Sequence, residues 1–497
     1  MADTEVGPQE EKEKPKKPIN LLRGWPSPHL LPTTQLAAAA AAALADPAVS
    51  VAALSYGLDP GFQPLREELA RWLSDMYGDY PGSSGGGGIK ADEIAITGGA
   101  SQSLACLLQS FTDPGYTRAI WLVAPCYFMA CPIFEDAGFR GRLRAVPEDE
   151  WGVDLEALEK ALTEEEARKG WENHPFKSPY PDRKLYRHVI YLVATCANPS
   201  GKTLSLARRK GLVHLARKHD ALIISDDVYD FLQWPVTTTT TPSAVPSPLP
   251  KLLPLLSQID ASLYPPPSKH NQSQERKEKR FSHAISNASF SKLVGPGIRT
   301  GWIHGTPDSA YGFSQTGSNR SGGAASQFAA AVVWRMLSGG ELEGYLDRVV
   351  RPALRGRHRV MLDVARRVLA PMGVGVWGGN GVGGAGVAGE EKEEEMFGGY
   401  FVWLTLPVGL DAAVVADRAR EEEALVVAPG GLFEVAGDEE TARFPRNVRL
   451  SFSWEDEEDL VEGVERLGRV LRRILDGTER KGGAGKGTVE ADVADFK

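Results

Sequence analysis

From residue 93 onward the chain alternates two kinds of segment. Short apolar runs at 93–97, 119–124, 143–146, 188–194, 221–225, 283–286 and 301–304 have strand length, and helical patterns such as 101–111 and 206–218 separate most of them. Apolar runs alternating with helices permit few folds: strands feeding helices build a mainly parallel sheet covered on both faces, an α/β architecture. In such sheets, binding sites form on the loops beyond the carboxyl ends of the strands. The chemically distinctive residues of this chain fall mostly just after the apolar runs.

The remainder reads around that framework. Residues 1–18, rich in Glu, Lys and Pro, and the Gly/Lys-rich residues 477–497 are expected to be disordered tails. Residues 19–60 form a proline-broken arm followed by a helix at 34–44, and 62–77 carries Leu65, Leu69, Trp72, Leu73 and Met76 at helical spacing. A large domain is expected over 61–335, interrupted by a low-complexity insertion at 236–279 rich in Thr, Pro, Ser and Lys. A smaller α+β domain is expected over 336–476, with a flexible Gly-rich then acidic loop at 378–395. It would hold a helix over 339–369 that breaks near Pro352, strands at 400–404, 424–428 and 448–452, and a closing helix at 455–475.

Composition narrows the class. With 497 residues, 42% hydrophobic and 24% charged, the chain supports a large core. A net charge of -9 argues against a nucleic-acid surface. No apolar run reaches membrane-spanning length, and the Ala37–Ala45 run, following Pro32, reads as a soluble helix. Cys106, Cys126, Cys131 and Cys196 lack metal-ligand spacing and imply no metal site. The N-terminus has no signal-like apolar stretch, so a reducing cytoplasmic location is expected.

Residues 286–302 read Ser-Asn-Ala-Ser-Phe-Ser-Lys-Leu-Val-Gly-Pro-Gly-Ile-Arg-Thr-Gly-Trp. Lys292 stands among hydroxyls, Ser289 and Ser291, with Arg299 beyond a Gly-Pro-Gly turn. Such an amine can form a Schiff base with an aldehyde cofactor, and the hydroxyls and guanidinium can hold a phosphate. Taken alone, Ser-Lys before a loop is more often a surface lysine. Asp226 ends the run Ala-Leu-Ile-Ile-Ser-Asp, with Tyr229 three residues later; by itself this is more often a strand end with a helix cap. Asn198 lies in Asn-Pro-Ser-Gly, a common turn starter, and Tyr127 in Ala-Pro-Cys-Tyr-Phe could equally be a core tyrosine. Gly98-Gly99-Ala100-Ser101-Gln102 opens a helix after a strand, where backbone amides bind phosphate. Arg449 lies in Asn-Val-Arg-Leu-Ser-Phe-Ser, and its planar fork suits a carboxylate.

In their order and spacing these motifs resemble the class I/II aminotransferases of fold type I, which use pyridoxal 5′-phosphate. The resemblance covers roughly residues 19–475. It implies a mainly parallel, seven-stranded central sheet with helices on both faces. It also implies that Lys292 carries the cofactor and acts as general base and acid, with Asp226 at the pyridine nitrogen and Tyr229 and Asn198 at the phenolic oxygen. Gly99, Ala100, Ser101, Ser289, Ser291 and Arg299 would surround the phosphate, and Tyr127 would stack on the ring. Tyr56, in Ser-Tyr-Gly-Leu-Asp-Pro-Gly, would reach the phosphate of the neighbouring subunit in a homodimer. Gly24 and Arg449, with Asn198, would meet the substrate carboxylate.

The arm Asn-Leu-Leu-Arg-Gly-Trp-Pro-Ser-Pro is most similar to the aminoadipate/kynurenine and aromatic branch of that family. Arg23, where a small residue is usual, could meet a distal carboxylate. The expected donor is therefore 2-aminoadipate, glutamate or an aromatic amino acid, and the expected acceptor 2-oxoglutarate. The same residues would serve a carbon–sulfur β-lyase or an aminocyclopropane-carboxylate-synthase-like lyase, which differ in products. A non-catalytic regulator of this fold would be expected to lose Lys292 or Asp226, and the bacterial regulators carry a winged helix that the roughly twenty residues before the match do not contain.

Overall fold

The computed structural model describes residues 16–82, 88–170, 173–178, 180–235, 251–264, 279–378 and 396–477. The tail readings for 1–15 and 478–497, the loop reading for 379–395 and most of the insertion lie outside these residues.

The central sheet contains β2 (Ile94–Thr97), β3 (Ala119–Ala124), β4 (Leu143–Asp149), β5 (Gly152–Val153), β6 (His188–Leu192), β7 (Ala221–Asp226), β9 (Ala284–Ser289) and β10 (Gly301–His304). Its order is β2-β10-β9-β7-β6-β3-β4-β5. Seven of these are the strands read from the apolar runs, and β10 alone among the seven runs against the rest. The eighth, β5, is a two-residue edge hairpin on the end of β4, too short to leave an apolar pattern. The interior strands are buried along their whole length because helices cover both faces.

The helix Gln63–Tyr77 buries Leu65, Leu69, Trp72 and Leu73 at the expected spacing. Trp72 stacks on Phe231 with ring centroids 4.1 Å apart and meets Trp302 edge-on. The N-terminal helix runs Thr33–Ala45, and a second one not foreseen follows at Pro47–Leu54. Asp46 separates them in an extended conformation, as a residue before proline prefers, and its side chain accepts from Ala48 N. The pair is bent by 98°, and among the described residues no single helix is long and apolar enough to cross a membrane.

A second sheet joins β11 (Gly375–Trp377), β13 (Phe401–Thr405), β16 (Asn447–Ser451) and β15 (Ala428–Pro429) in that order. A ribbon of β8 (Gln233–Pro235) and β12 (Met396–Gly398) lies beside it. The single strand read at 424–428 is in fact two. β14 (Leu425–Val426) pairs in parallel with β1 (Ile19–Asn20) of the arm, whereas β15 pairs with β16. A local pattern carries no sign of a partner some 400 residues away. The helix expected over 339–369 is broken by a π-type turn at Leu346–Val350, just before Pro352 in the first turn of Arg351–Val368.

The insertion reading also needs correction at 251–264. Leu252, Leu255, Leu256 and Ile259 are buried around the short helix Leu256–Ser262. Ser257 Oγ lies 2.7 Å from His304 Nδ1, and Arg217 donates to Asp260 O at 2.8 Å, so this piece is docked on the sheet layer. Lys16 and Lys17, read as tail, pair with Glu423 and Asp459.

Candidate active site

Five parallel strands deliver the site from their carboxyl ends. β2 leads into Gly98–Ser101, β3 into Tyr127, β6 into Asn198, β7 ends in Asp226, and β9 ends in Ser289 just before Lys292. From the second sheet, β16 adds Arg449, opposite Trp403 and Ala428. The arm closes over these residues: Lys292 Nζ donates to Gly24 O at 2.7 Å. A side chain at position 24 would place its Cβ 2.7 Å from Phe401 Cζ, so the arm approaches this closely only as glycine.

Gly99, at φ 97°, caps the helix Ala100–Phe111, whose first-turn amides have no acceptor within the helix. Arg299 Nη2 donates to Gly98 O at 2.7 Å, and its Nη1 lies 3.3 Å from Ser291 Oγ, which is 2.8 Å from Ser289 Oγ. A Cβ on Gly99 would meet Arg299 Nη2 at 2.6 Å and Ser289 Oγ at 3.4 Å. Amides, two hydroxyls and a guanidinium thus converge on one small space suited to a phosphate.

Asp226 is buried, and burial lifts its carboxyl to about 6, against the opposing pull of a Tyr191 hydrogen bond and the Lys292 charge. Tyr191 donates to Asp226 Oδ2 at 2.8 Å, while Oδ1 is buried with no hydrogen-bond partner among the described residues. Tyr229 is buried edge-on against Tyr400 and Phe401. Tyr127 is close enough to Asp226 and Arg449 to feel both charges, and burial pushes its phenol up to about 12. Burial pulls Lys292 down to about 8, with Asp226 opposing and Arg449 assisting.

Arg449 is buried, which lowers its guanidinium to about 10 against the opposing phenols of Tyr229 and Tyr127. Its Nη1 donates to Asn198 Oδ1 at 2.8 Å and its Nη2 to Leu22 O. Nε has no hydrogen-bond partner among the described residues, and the group lies 4.1 Å over the Phe401 ring and 4.9 Å from that of Phe433.

Arg23 points to a different environment from Arg449. It lies 5.3 Å from the Trp25 ring and 5.4 Å from that of Trp454, and its buried Nε has no acceptor among the described residues. Tyr56 does not join the cluster by any hydrogen bond or ring contact among the described residues; it is 90% exposed and lies near Gly322.

A sequence model for class I and II aminotransferases matches residues 33–467. The chain belongs to that family. Among this aminotransferase's relatives, an uncharacterized protein of Saccharomyces cerevisiae is 32% identical over 471 residues, covering 92% of this chain and 97% of that one. A 2-aminoadipate transaminase of Thermus thermophilus is 28% identical, covering 92% and 91%. An aromatic-amino-acid aminotransferase of Thermococcus litoralis is 26% identical, covering 92% and 88%. The α-aminoadipate aminotransferase structure from Thermus thermophilus, complexed with a phosphopyridoxyl-leucine, superposes with TM-score 0.65 at 26% identity, covering 93% and 94%. The fold is that of the fold-type I aminotransferases, and the enzyme is a transaminase that uses pyridoxal 5′-phosphate.

The residues present fit that cofactor. Asp226 Oδ1, a buried acceptor with no donor among the described residues, suits a protonated ring nitrogen, and the Gly99–Arg299–Ser289 space suits the phosphate. Two contributors were not legible in the motifs. Tyr191 holds Asp226, and Asn287, paired with Asp226 across β7 and β9, donates to Ala100 O at 3.0 Å and so ties the lysine strand to the phosphate helix. A lone tyrosine in the aliphatic run His-Val-Ile-Tyr-Leu was the one available signal.

Proposed function

We propose that this aminotransferase moves the amino group of 2-aminoadipate, or of an aromatic amino acid, to 2-oxoglutarate, and that it does so as a homodimer. The observation that carries the substrate reading is that Arg449, in the site, bonds Leu22 O of the same arm segment that carries Arg23 and Gly24. Arg449 offers a buried fork whose Nε has no partner among the described residues, the right shape for an α-carboxylate. Arg23, one residue from the glycine that touches Lys292, offers a second guanidinium for a distal carboxylate. The Trp25 and Trp454 rings beside it, edge-on at 5.7 Å, favour the aromatic donor as the second reading.

In this reading Asp226 would keep the ring nitrogen protonated, and Asn198 and Tyr229 would hold the phenolic oxygen. Tyr127 would stack on the ring, and Gly99, Ala100, Ser101, Ser289, Ser291 and Arg299 would hold the phosphate. When bound, the cofactor supplies an electron sink that makes the substrate Cα proton acidic. Lys292 Nζ, lowered to about 8, is poised to take that proton and return it. The arm and the Phe401 and Phe433 rings keep water from the carboxylate fork. Tyr56, exposed beside Leu54 and Leu58, supports a second copy of the chain covering this surface.

The test is a donor panel of 2-aminoadipate, glutamate, phenylalanine and tyrosine with 2-oxoglutarate, for wild type and Arg23→Ala. The proposal expects Arg23→Ala to lose about tenfold or more in kcat/KM for dicarboxylic donors and to spare the aromatic ones. An unchanged preference would remove Arg23 from substrate recognition.

A further inference from the structure

Asp226 has two oxygens in unlike situations, and the sheet register explains why. β6 and β7 run parallel with Tyr191 opposite Ile224. Asp226 lies two positions beyond Ile224, so it faces the same side as Tyr191, one diagonal step along the sheet. An aromatic side chain spans that step, and the Tyr191 hydroxyl reaches Oδ2 at 2.8 Å. Phe134 lies edge-on to Tyr191 at 5.6 Å and 71°, and Tyr191 is 1% exposed, so the phenol is fixed in place. Among the described residues no donor reaches Oδ1, which is left as a buried acceptor.

We infer that Tyr191 is the positioning residue for Asp226: by occupying Oδ2 it turns Oδ1 to the cofactor's ring nitrogen and keeps the carboxyl ionised for that contact. The inference rests on the cofactor and on Asp226 facing its ring nitrogen, not on the identity of the donor substrate. The charged and titratable groups around Asp226 are Tyr191 from β6, Tyr127 after β3, Tyr229 and Asp230 on the loop after β7, and Lys292 after β9. Burial raises the Asp226 carboxyl most; the Tyr191 hydrogen bond and then the Lys292 charge lower it, and Asp230 adds to the rise. Removing the Tyr191 hydroxyl therefore moves protonation of Asp226 to higher pH. It also frees the carboxyl to rotate away from the ring.

The experiment titrates the full-length apoprotein with pyridoxal 5′-phosphate, followed by fluorescence quenching, between pH 6 and 8.5. Wild type and Tyr191→Phe are compared, each also with 1-deazapyridoxal 5′-phosphate, which lacks the ring nitrogen. Tyr191→Phe is expected to bind the natural cofactor about tenfold more weakly at pH 8, with the gap widening toward pH 6, and to bind the deaza analogue as wild type does. Equal affinity for the natural cofactor at every pH, or the same loss with the analogue, overturns the inference while leaving the cofactor assignment intact. Wild type that takes up neither compound overturns both. Should Tyr191→Phe fail to fold, 3-fluorotyrosine at position 191 keeps the hydroxyl and strengthens its donation. That substitution should move the pH profile of cofactor binding downward, and an unmoved profile overturns the inference.

Discussion

Lys292 Nζ and the carbonyl oxygen of Gly24 lie 2.7 Å apart, although 268 residues separate them in the chain. The contact closes the N-terminal arm over the strand ends, and β1 pairing with β14 anchors that arm to the second sheet. It depends on Gly24, since the Phe401 ring occupies the space a side chain would need. Gly24→Ala should therefore lift the arm off Lys292. Overpacking of this kind costs about 1–3 kcal/mol. The expected result is a drop of at least about tenfold in kcat/KM with a modestly lower melting temperature, measured on the same preparation.

The state of Lys292 makes a pH prediction. Its folded value, about 8, is below that of an ordinary lysine because burial disfavours the charged amine. A neutral amine is needed to capture an aldehyde, so the rate of cofactor uptake by apoprotein should rise as pH increases through about 8 and level off above it. Stopped-flow absorbance from pH 6.5 to 9.5 reads this directly. A rate still climbing at pH 9.5, as an unperturbed lysine would give, contradicts it.

Arg449 makes its contacts through a fork that a lysine lacks, with Asn198 on one arm and Leu22 on the other. Arg449→Lys should lower kcat/KM for every amino donor by about 10- to 100-fold, mostly through KM, because one point charge replaces two directed donors. Steady-state kinetics on two unlike donors provides the check. A loss confined to one donor would mean that Arg449 does not grip the group they share.

Among the described residues Tyr56 makes no hydrogen bond or ring contact with its own chain's cluster, and the proposed homodimer gives it a place across the subunit boundary. Tyr56→Ala and Lys292→Ala should each be nearly inactive alone. Mixed and refolded together they should regain activity, because the hybrid contains one site with both residues intact. Recovery is measured against each variant refolded alone, and no recovery would place Tyr56 outside the partner's site.

The core makes its own prediction. Trp72, stacked on Phe231 and fully buried, joins the Gln63–Tyr77 helix to the strand-end loop after β7. Trp72→Ala should cost about 3–5 kcal/mol, seen as a lower midpoint in denaturant.

What could be read in the sequence follows physical lines. Buried strands leave apolar runs, so β3 and β10 were found to the residue, and the site loops after the parallel strands followed from the strand-end rule. Pairings that depend on distant partners left no local trace, which is why β14 and β15 looked like one strand and why the arm's bond to Lys292 was invisible. The 251–264 segment was misread because the stretches on either side of it are rich in Thr, Pro, Ser and Lys, yet its own leucines suffice to dock one short helix. Motifs named the groups suited to touch the cofactor. Tyr191 and Asn287, which act on those groups, belong to no motif and emerge only from strand register.

The central claim is a lysine-bound cofactor that cycles between two amino acids. The most direct measurement is the visible absorption spectrum of the purified protein with pyridoxal 5′-phosphate, before and after 2-aminoadipate and then after 2-oxoglutarate. The account predicts a yellow band that bleaches with the donor and returns with the acceptor, and that Lys292→Ala never shows. A colourless wild type that cannot take up added cofactor, or a band that Lys292→Ala retains unchanged, would contradict it.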